Sequence, residues 1–448
     1  MMLKLEDHPT VINYYRKLKI DDKPATSSRL DARWLCELCL EAGADDVGFV
    51  EIDREEIAFE REDILSYFPH TKTLISIVCR MNREPVRSPG RSVANQEFHN
   101  TGDRVNEVAH RIVSELENKG IRAVNPSMGF PMEMDRFPGK IWIVSHKSVA
   151  VAAGLGHMGI HRNVIHPKFG NFILLGTILM DAGVSLYDHP IDYNPCLECK
   201  LCVSACPVGA IGSDGHFDFS ACYTHNYREF MGGFTDWVEN IADSNGAADY
   251  RRKVTGSESA SMWQSLSFGA NYKAAYCMAV CPAGEDVIGP FLTDRAGYLK
   301  DVLRPLQEKK ETVYVKRGSD AESYVRKRFP KKETKVVGSG IKPTSIKGFI
   351  DGLPLVFQRN QSEGINATYH FTFTGEEPYK ATVLIKDKTL LVNEGHSGSA
   401  DIRITADSKT WLGFLSKEKS IIWSLLTRKV RIKGSLRLLK DFSKCFPS

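Results

Sequence analysis

The 448-residue sequence predicts a multidomain protein that joins an α/β unit to a second, α+β-type unit, and three patterns carry that expectation. Residues 28–184 alternate helical and strand-like periodicity, the signature of a layered α/β architecture. Residues 185–290 break the alternation with cysteine, glycine and proline. Over residues 341–448 period-two apolar runs return, followed by helical segments.

In order, Ser28–Ala42 has helical spacing of Leu30, Trp34, Leu35 and Leu38, and Gly43 ends it before a strand over Asp46–Ile52. Thr73–Met81 reads as a buried strand, Arg104–Glu117 as a helix and Ile121–Val124 as a short strand. Phe172–Met180 is apolar throughout but half the length needed to cross a bilayer, so it too reads as a buried strand and no transmembrane segment is expected. From Glu308 the chain is charged and ends in VGSGIKP, which predicts a linker. Tyr369–Thr374, Ala381–Lys386, Thr389–Asn393 and Ala400–Ala406 read as strands, with Lys386-Asp387-Lys388 as a hairpin turn, and Ser408–Leu415 and Ser420–Leu425 as helices. The expected domains are 1–184 (cofactor-binding α/β unit), 185–307 (cluster-binding insert), 308–340 (linker) and 341–448.

A hydrophobic content of 42%, a charged content of 25% and a mean hydropathy of −0.26 exclude a disordered tail, a collagen-like repeat and a disulfide-stapled toxin. The net charge of +4 is too small to argue for a nucleic-acid partner. Residues 341–448 hold 17 basic against 10 acidic positions, so the C-terminal unit carries the positive charge. A solvated basic face is the ordinary explanation, and attraction to an anionic head group or membrane surface the sharper one. The start lacks a secretory signal. Most of the eleven cysteines crowd into residues 196–281, which predicts metal binding in a reducing cytoplasm.

The strongest signal is Cys196-x2-Cys199-x2-Cys202-x3-Cys206-Pro207. Zinc usually takes two CxxC pairs across a longer loop, whereas this compact run ending in Cys-Pro is the ferredoxin-type signature of a [4Fe–4S] cluster. Cys222 and Cys277-x3-Cys281-Pro282 offer a second set. In two-cluster ferredoxins the cysteine before proline serves the neighbouring cluster. Cys281 should therefore complete the first cluster with Cys196, Cys199 and Cys202, and Cys206 should join Cys222 and Cys277 in the second. A full second motif would put a cysteine at 274, where the chain has Ala274. The second cluster is then [3Fe–4S], a [4Fe–4S] cluster with one iron not held by cysteine, or empty. An open iron is either a reaction site or a device that retunes the reduction potential. Cys36 and Cys39 lie one helical turn apart beside Trp34, Leu35 and Leu38 and read as core, and nothing assigns a role to Cys79 or Cys445.

The stretch Ser148–Asp181, with Ala153-Gly154-Leu155-Gly156, Gly159, Pro167, Phe169-Gly170 and Leu175-Gly176, followed by the cluster motif, resembles epoxyqueuosine reductases and, more distantly, reductive dehalogenases. The resemblance covers about residues 28–290. It implies a nitroreductase-like α/β domain with a ferredoxin-like double-cluster insert, a base-off cobalamin reduced by the clusters, and a low-potential donor such as ferredoxin or flavodoxin. FMN is the alternative cofactor on this scaffold. Gly154, Gly156, Gly159, Gly170 and Gly176 would let the backbone approach a planar macrocycle, or serve as tight turns. Two departures count against tRNA as substrate: Gly139-Lys140-Ile141 stands where those enzymes carry a catalytic aspartate, and their C-terminal tRNA-binding repeats are missing. His146, Lys147, His157 and His161 are the candidate proton donors. Tyr223, Tyr227 and Trp237 fall in a stretch expected either to cover the substrate pocket or to be a surface insertion.

Ala400–Thr405, Asp407 with Thr410-Trp411-Leu412, and Val430–Leu436 with Leu438-Leu439 resemble the sterol carrier protein type-2 domain, abbreviated SCP2. That resemblance implies helices over a five-stranded sheet around an apolar tunnel for a lipid-like molecule. Trp411, Leu415, Trp423 and Leu426 are its candidate wall. The combined expectation is a cytoplasmic oxidoreductase whose clusters feed a cofactor that reduces a small or apolar substrate, against a non-catalytic electron-transfer and lipid-binding protein.

Overall fold

The computed structural model describes residues 4–18, 29–137, 139–338, 340–416 and 418–447, so the expected helix start at Ser28 lies outside the described residues. The first unit is built on a four-stranded sheet. Asp46–Glu51, Thr73–Arg80, Ile173–Met180 and Ala123–Val124 lie side by side in that order, each antiparallel to its neighbour. Thr73–Arg80 and Ile173–Met180 are buried almost throughout because helices cover both faces. Ala32–Ala42 and Arg91–Asn118 pack on one face, and His146–Ala152 packs on the other. Asp31 caps Ala32–Ala42 by accepting from Trp34 N, and Gly43 ends it in a left-handed conformation at φ 114°.

The helix expected over Arg104–Glu117 begins at Arg91. Its first half lacks an apolar stripe because it packs through hydrogen bonds. Glu97 accepts from Asn82 N (2.7 Å) and from Thr101 Oγ1 (3.2 Å), while Asn95 pairs both ways with the backbone of Tyr272, at 3.1 and 2.8 Å. This polar face holds the second cysteine segment.

The stretch 308–340, expected as a linker, is folded. Thr312–Val315 and Glu333–Val336 pair in parallel, with the helix Asp320–Arg328 between them. Val313, Val315, Ala321 and Val325 share a buried core with Cys202, Cys206, Val208 and Ile211, so this unit packs onto the first cysteine segment. Its charges look like those of a solvated linker in sequence, but many are paired: Lys332 with Glu311 at 2.7 Å, and Lys335 with Glu258 at 2.6 Å.

The C-terminal unit has a five-stranded sheet in the order Thr389–Glu394, Tyr379–Lys386, Ala367–Thr374, Ile402–Asp407, Val430–Gly434. Only the pair Ala367–Thr374 and Ile402–Asp407 is parallel. Asp387 and Lys388 form the hairpin turn with φ of 49° and 59°, as a two-residue turn of the primed type requires. Ile346–Val356, Ser408–Leu415 and Leu436–Cys445 cover the sheet, and Phe349, Phe371, Phe373 and Trp411 fill the space between. Trp423 and Leu426, expected in a tunnel wall, are instead 68% and 71% exposed. The short helix carrying them lies outside the core. No helix among the described residues is long and apolar enough to cross a membrane.

Candidate metal centre

The first cysteine run threads a loop into a short helix. Glu198 and Lys200 take left-handed backbone at φ 49° and 62°, and Lys200 leads directly into Leu201–Ala205. That reversal turns Cys196, Cys199 and Cys202 toward one cavity, whose lining also includes Cys281, Ile160 and His161.

Cys281 reaches this cavity from a distant part of the chain because of two glycines. At Gly170, φ 65°, a side chain would collide with the carbonyl of Ala283, and at Gly284, φ 112°, with the backbone of Gly170. Glu285 N and Asp286 N donate to the carbonyls of Pro167 and Lys168 at 2.9 and 3.0 Å. The loop after Cys281-Pro282 is thus pinned to the start of the last long strand of the α/β sheet.

Cys206, Cys222 and Cys277 form a second group around a shared apolar cluster. Cys222 sits on Phe219–Asn226, capped by Asp218, which accepts from Ala221 N at 2.9 Å and is itself pushed up to about 6 by burial. The N–H of Ala210 donates to Cys206 Sγ at 3.3 Å, and Val208, Gly209 and Ile211 also favour its thiolate, although burial outweighs them and raises its pKa. Burial, reinforced by neighbouring sulfurs, pushes Cys277 and Cys281 up to about 12. Raised pKa values favour the protonated thiols, and iron binding would displace those protons. Among the described residues no three His, Cys, Asp or Glu side chains converge on a point where a single metal ion could sit. The cysteines form a group of four and a group of three, and sets of that kind suit multi-iron clusters.

The two cysteine segments repeat one backbone design. Cys199-Lys200-Leu201-Cys202 finds its counterpart in Ala274-Ala275-Tyr276-Cys277. Ala275, like Lys200, is left-handed (φ 56°) and leads into a short helix, Tyr276–Ala279, and a Cys-Pro follows four residues later in both. Ala274 is buried, donates its N–H to Asn226 Oδ1 at 2.9 Å and accepts from Arg91 Nη1 at 2.6 Å. The backbone of the loop recurs with alanine in place of the cysteine.

The other predicted residues divide differently. His146 has both ring nitrogens engaged, with Thr177 Oγ1 at 2.9 Å and Ser127 O at 3.0 Å, and burial lowers its pKa: it braces the sheet. His157 approaches the carbonyl of Met158 in a two-residue strand pair. His161 is buried at the first cysteine cavity, accepts from Asn163 N at 3.2 Å and is lowered to about 4 by burial, then by Lys147. Lys147 donates to the carbonyl of Arg162 (2.8 Å) and to Asn163 Oδ1 (3.0 Å), and Asn163 Nδ2 lies 4.0 Å from Cys277 Sγ. Lys147, Asn163 and His161 therefore border the cysteine groups, and Asn163 has no signal in the sequence. Lys140 pairs with Asp63 at 2.6 Å and Glu60 at 3.4 Å.

The five glycines do not form an open cradle. The space beside Gly154 is filled by the carbonyl of His189, beside Gly156 by Ile165 and Val164, beside Gly159 by His161 and Ile165, beside Gly170 by Ala283, and beside Gly176 by Val105 and Ile77. They allow chain segments to meet. Tyr223, Tyr227, Phe230 and Tyr272 form an aromatic cluster with centroids 4.7–5.7 Å apart. Trp237 donates to Tyr250 OH at 2.9 Å. Tyr223 is buried and Tyr227 half-buried in this cluster.

Comparison with known proteins matches the SCP-2 sterol transfer family over residues 357–447 and a 4Fe-4S binding domain over residues 189–212. The epoxyqueuosine reductase of Cellulophaga algicola is 33% identical over 103 residues, which cover 21% of this chain and 33% of that protein. The chain spans half or less of the length of the curated relatives it matches. Among solved structures, a catabolic reductive dehalogenase aligns with a TM-score of 0.38 and 16% identity over 63% of this chain and 35% of that one. An epoxyqueuosine reductase in complex with a tRNA stem loop aligns with a TM-score of 0.33 and 15% identity over 67% and 81%. The chain resembles epoxyqueuosine reductases over part of its length, contains a 4Fe-4S-type segment and ends in an SCP2-type domain.

Proposed function

We propose that this chain is an iron–sulfur reductase. Cys196, Cys199, Cys202 and Cys281 would hold a [4Fe–4S] cluster, and Cys206, Cys222 and Cys277 a second cluster with one corner not held by cysteine, either [3Fe–4S] or [4Fe–4S]. The observation that carries the reading is the meeting of two cysteine segments 70 residues apart in sequence at one place, pinned there by Gly170 and Gly284. When bound, such clusters supply one-electron transfer. Around them the chain excludes water with Ile160, Val208, Ile211 and Val313 and donates backbone N–H groups to Cys206. Lys147 is held beside the second group by its two hydrogen bonds, and burial lowers its pKa.

The electrons would come from a low-potential donor such as ferredoxin or flavodoxin and pass to a cofactor on the α/β domain. At the glycines expected to seat a corrinoid, other chain segments already pack on the side where a side chain would lie. A corrinoid and FMN remain the two candidates that an absorption spectrum separates. Free thiols at all of these positions suit a reducing compartment, and the reading places the chain in the cytoplasm. tRNA is not the proposed substrate, because Lys140 stands in the neighbourhood expected to hold a catalytic aspartate.

At the C-terminal domain the substrate class is apolar or lipid-like. Trp411 supports this: its indole N–H is buried without a partner among the rings of Phe349, Phe371 and Phe373, which leaves a donor for the polar end of an apolar guest. Anaerobic purification followed by iron, sulfide and cobalt analysis with an absorption spectrum tests the proposal. About seven or eight irons per chain with corrin or flavin bands supports it. Iron alone moves it to the non-catalytic electron carrier, and a chain without iron refutes it.

A further inference from the structure

The C-terminal domain displays an apolar and basic surface that its own fold does not use. Trp423 and Leu426 project from Ile421–Leu426 at 68% and 71% exposure, and Leu425 is 37% exposed. Beside them an open groove of about 480 Å³ is lined by Leu425, Arg428, Val430, Arg431 and Ile432. Arg428, Lys429, Arg431, Lys433, Arg437 and Lys440 are all exposed, and no acidic residue occurs between Glu418 and Asp441. Among the described residues only Arg437 of these six has an ion-pair partner, Asp441 at 4.0 Å.

Arg431 and Lys433 on the edge strand Val430–Gly434 would alone be explained as protection against edge-to-edge pairing. That explanation does not cover an exposed tryptophan and leucine on the neighbouring helix, which solvent penalises and which would favour aggregation. Both features are accounted for by one occupant. A bilayer with anionic lipids takes a tryptophan and a leucine into its interfacial region and attracts the flanking cations. We propose that Ile421–Leu426 and the basic segment that follows form the face by which this domain docks on an anionic membrane surface, independently of the redox reading.

The test uses the full chain and vesicles of phosphatidylcholine with or without an equal part of phosphatidylglycerol, in a sedimentation assay at low and high salt. Each basic residue near an anionic surface contributes about fivefold in partitioning. The double variant R431S/K433S is therefore expected to bind about 30-fold more weakly, and W423S/L426S to lose most binding at high salt. Trp423 fluorescence should shift to the blue on vesicle addition, a shift that W423F removes. All variants must keep the wild-type melting profile, since these side chains are exposed. Equal sedimentation of wild type and both variants overturns the proposal. So does binding to a short RNA hairpin that depends on the same residues while vesicles are ignored, because that would make the face an RNA surface.

Discussion

Replacing Ala274 with cysteine puts the missing sulfur on a loop already shaped to present it. The left-handed residue and the short helix that follow Cys199 recur after Ala274, and a Cys-Pro closes both segments. The backbone therefore need not reorganise to accept a ligand. Ala274 is 6% exposed, so the added atom enters the interior, where overpacking by one heavy atom costs about 1 kcal/mol in the empty protein. Against this stands a metal–thiolate bond in the loaded one. If the second cluster has three irons, A274C raises the iron content from about seven to about eight per chain. In the oxidised protein the paramagnetic resonance signal of [3Fe–4S] present in the wild type should disappear from the variant. Iron and sulfide analysis with the spectrum of anaerobically prepared protein measures both. A wild type that already carries about eight irons, shows no three-iron signal and is unchanged by A274C would refute the reasoning. Some other group would then close the corner, and the repeated loop would be a relic of geometry without a vacant ligand position.

Gly170→Ala forces a side chain into the carbonyl of Ala283 and a non-glycine residue into φ 65°. Left-handed backbone alone costs about 1–2 kcal/mol, and displacement of the loop behind Cys281 should remove about half of the bound iron, read by metal analysis. Asp236→Ala strands the buried Arg228 guanidinium, which now bonds Asp236 Oδ2 at 2.6 Å, and frees Gly338 N from Asp236 Oδ1. A loss of about 3–5 kcal/mol in chemical denaturation is expected. His225 is buried, accepts from Tyr314 N at 3.3 Å and is lowered by burial to about 4, against an ordinary value near 6.5. As pH falls from 6.5 to 4 the unfolded chain takes the proton first, so stability declines through that window by about 3 kcal/mol at its lower end. His225→Gln should flatten that part of the profile of unfolding temperature against pH, and an unchanged slope would show that the imidazole is not the group responsible.

What the sequence reveals about this protein depends on the range of the interaction that encodes it. The first cluster motif is legible because ligand spacing and the Cys-Pro ending are local, and the strands Thr73–Arg80 and Ile173–Met180 because both faces are buried and the side chains declare it. Arg91–Arg104 gives no helical stripe, since Asn95, Glu97 and Thr101 are buried through hydrogen bonds to other segments. The unit at Thr312–Val336 reads as a linker because its charges find partners such as Glu258 and Glu311 only in three dimensions. The glycines mark where backbone must come close, but nothing local distinguishes a macrocycle from another stretch of chain as the visitor. At Gly170 the visitor is Ala283, and that contact has a larger consequence than a turn. It couples the end of the α/β sheet to the loop that delivers Cys281, while Asn95 and Arg91 of the long helix hold Tyr272 and Ala274 at the front of the same segment. The second cysteine segment is thus suspended between two anchor points on the α/β domain. A shift of either anchor changes both cysteine groups at once, because Cys281 belongs to the first and Cys277 to the second.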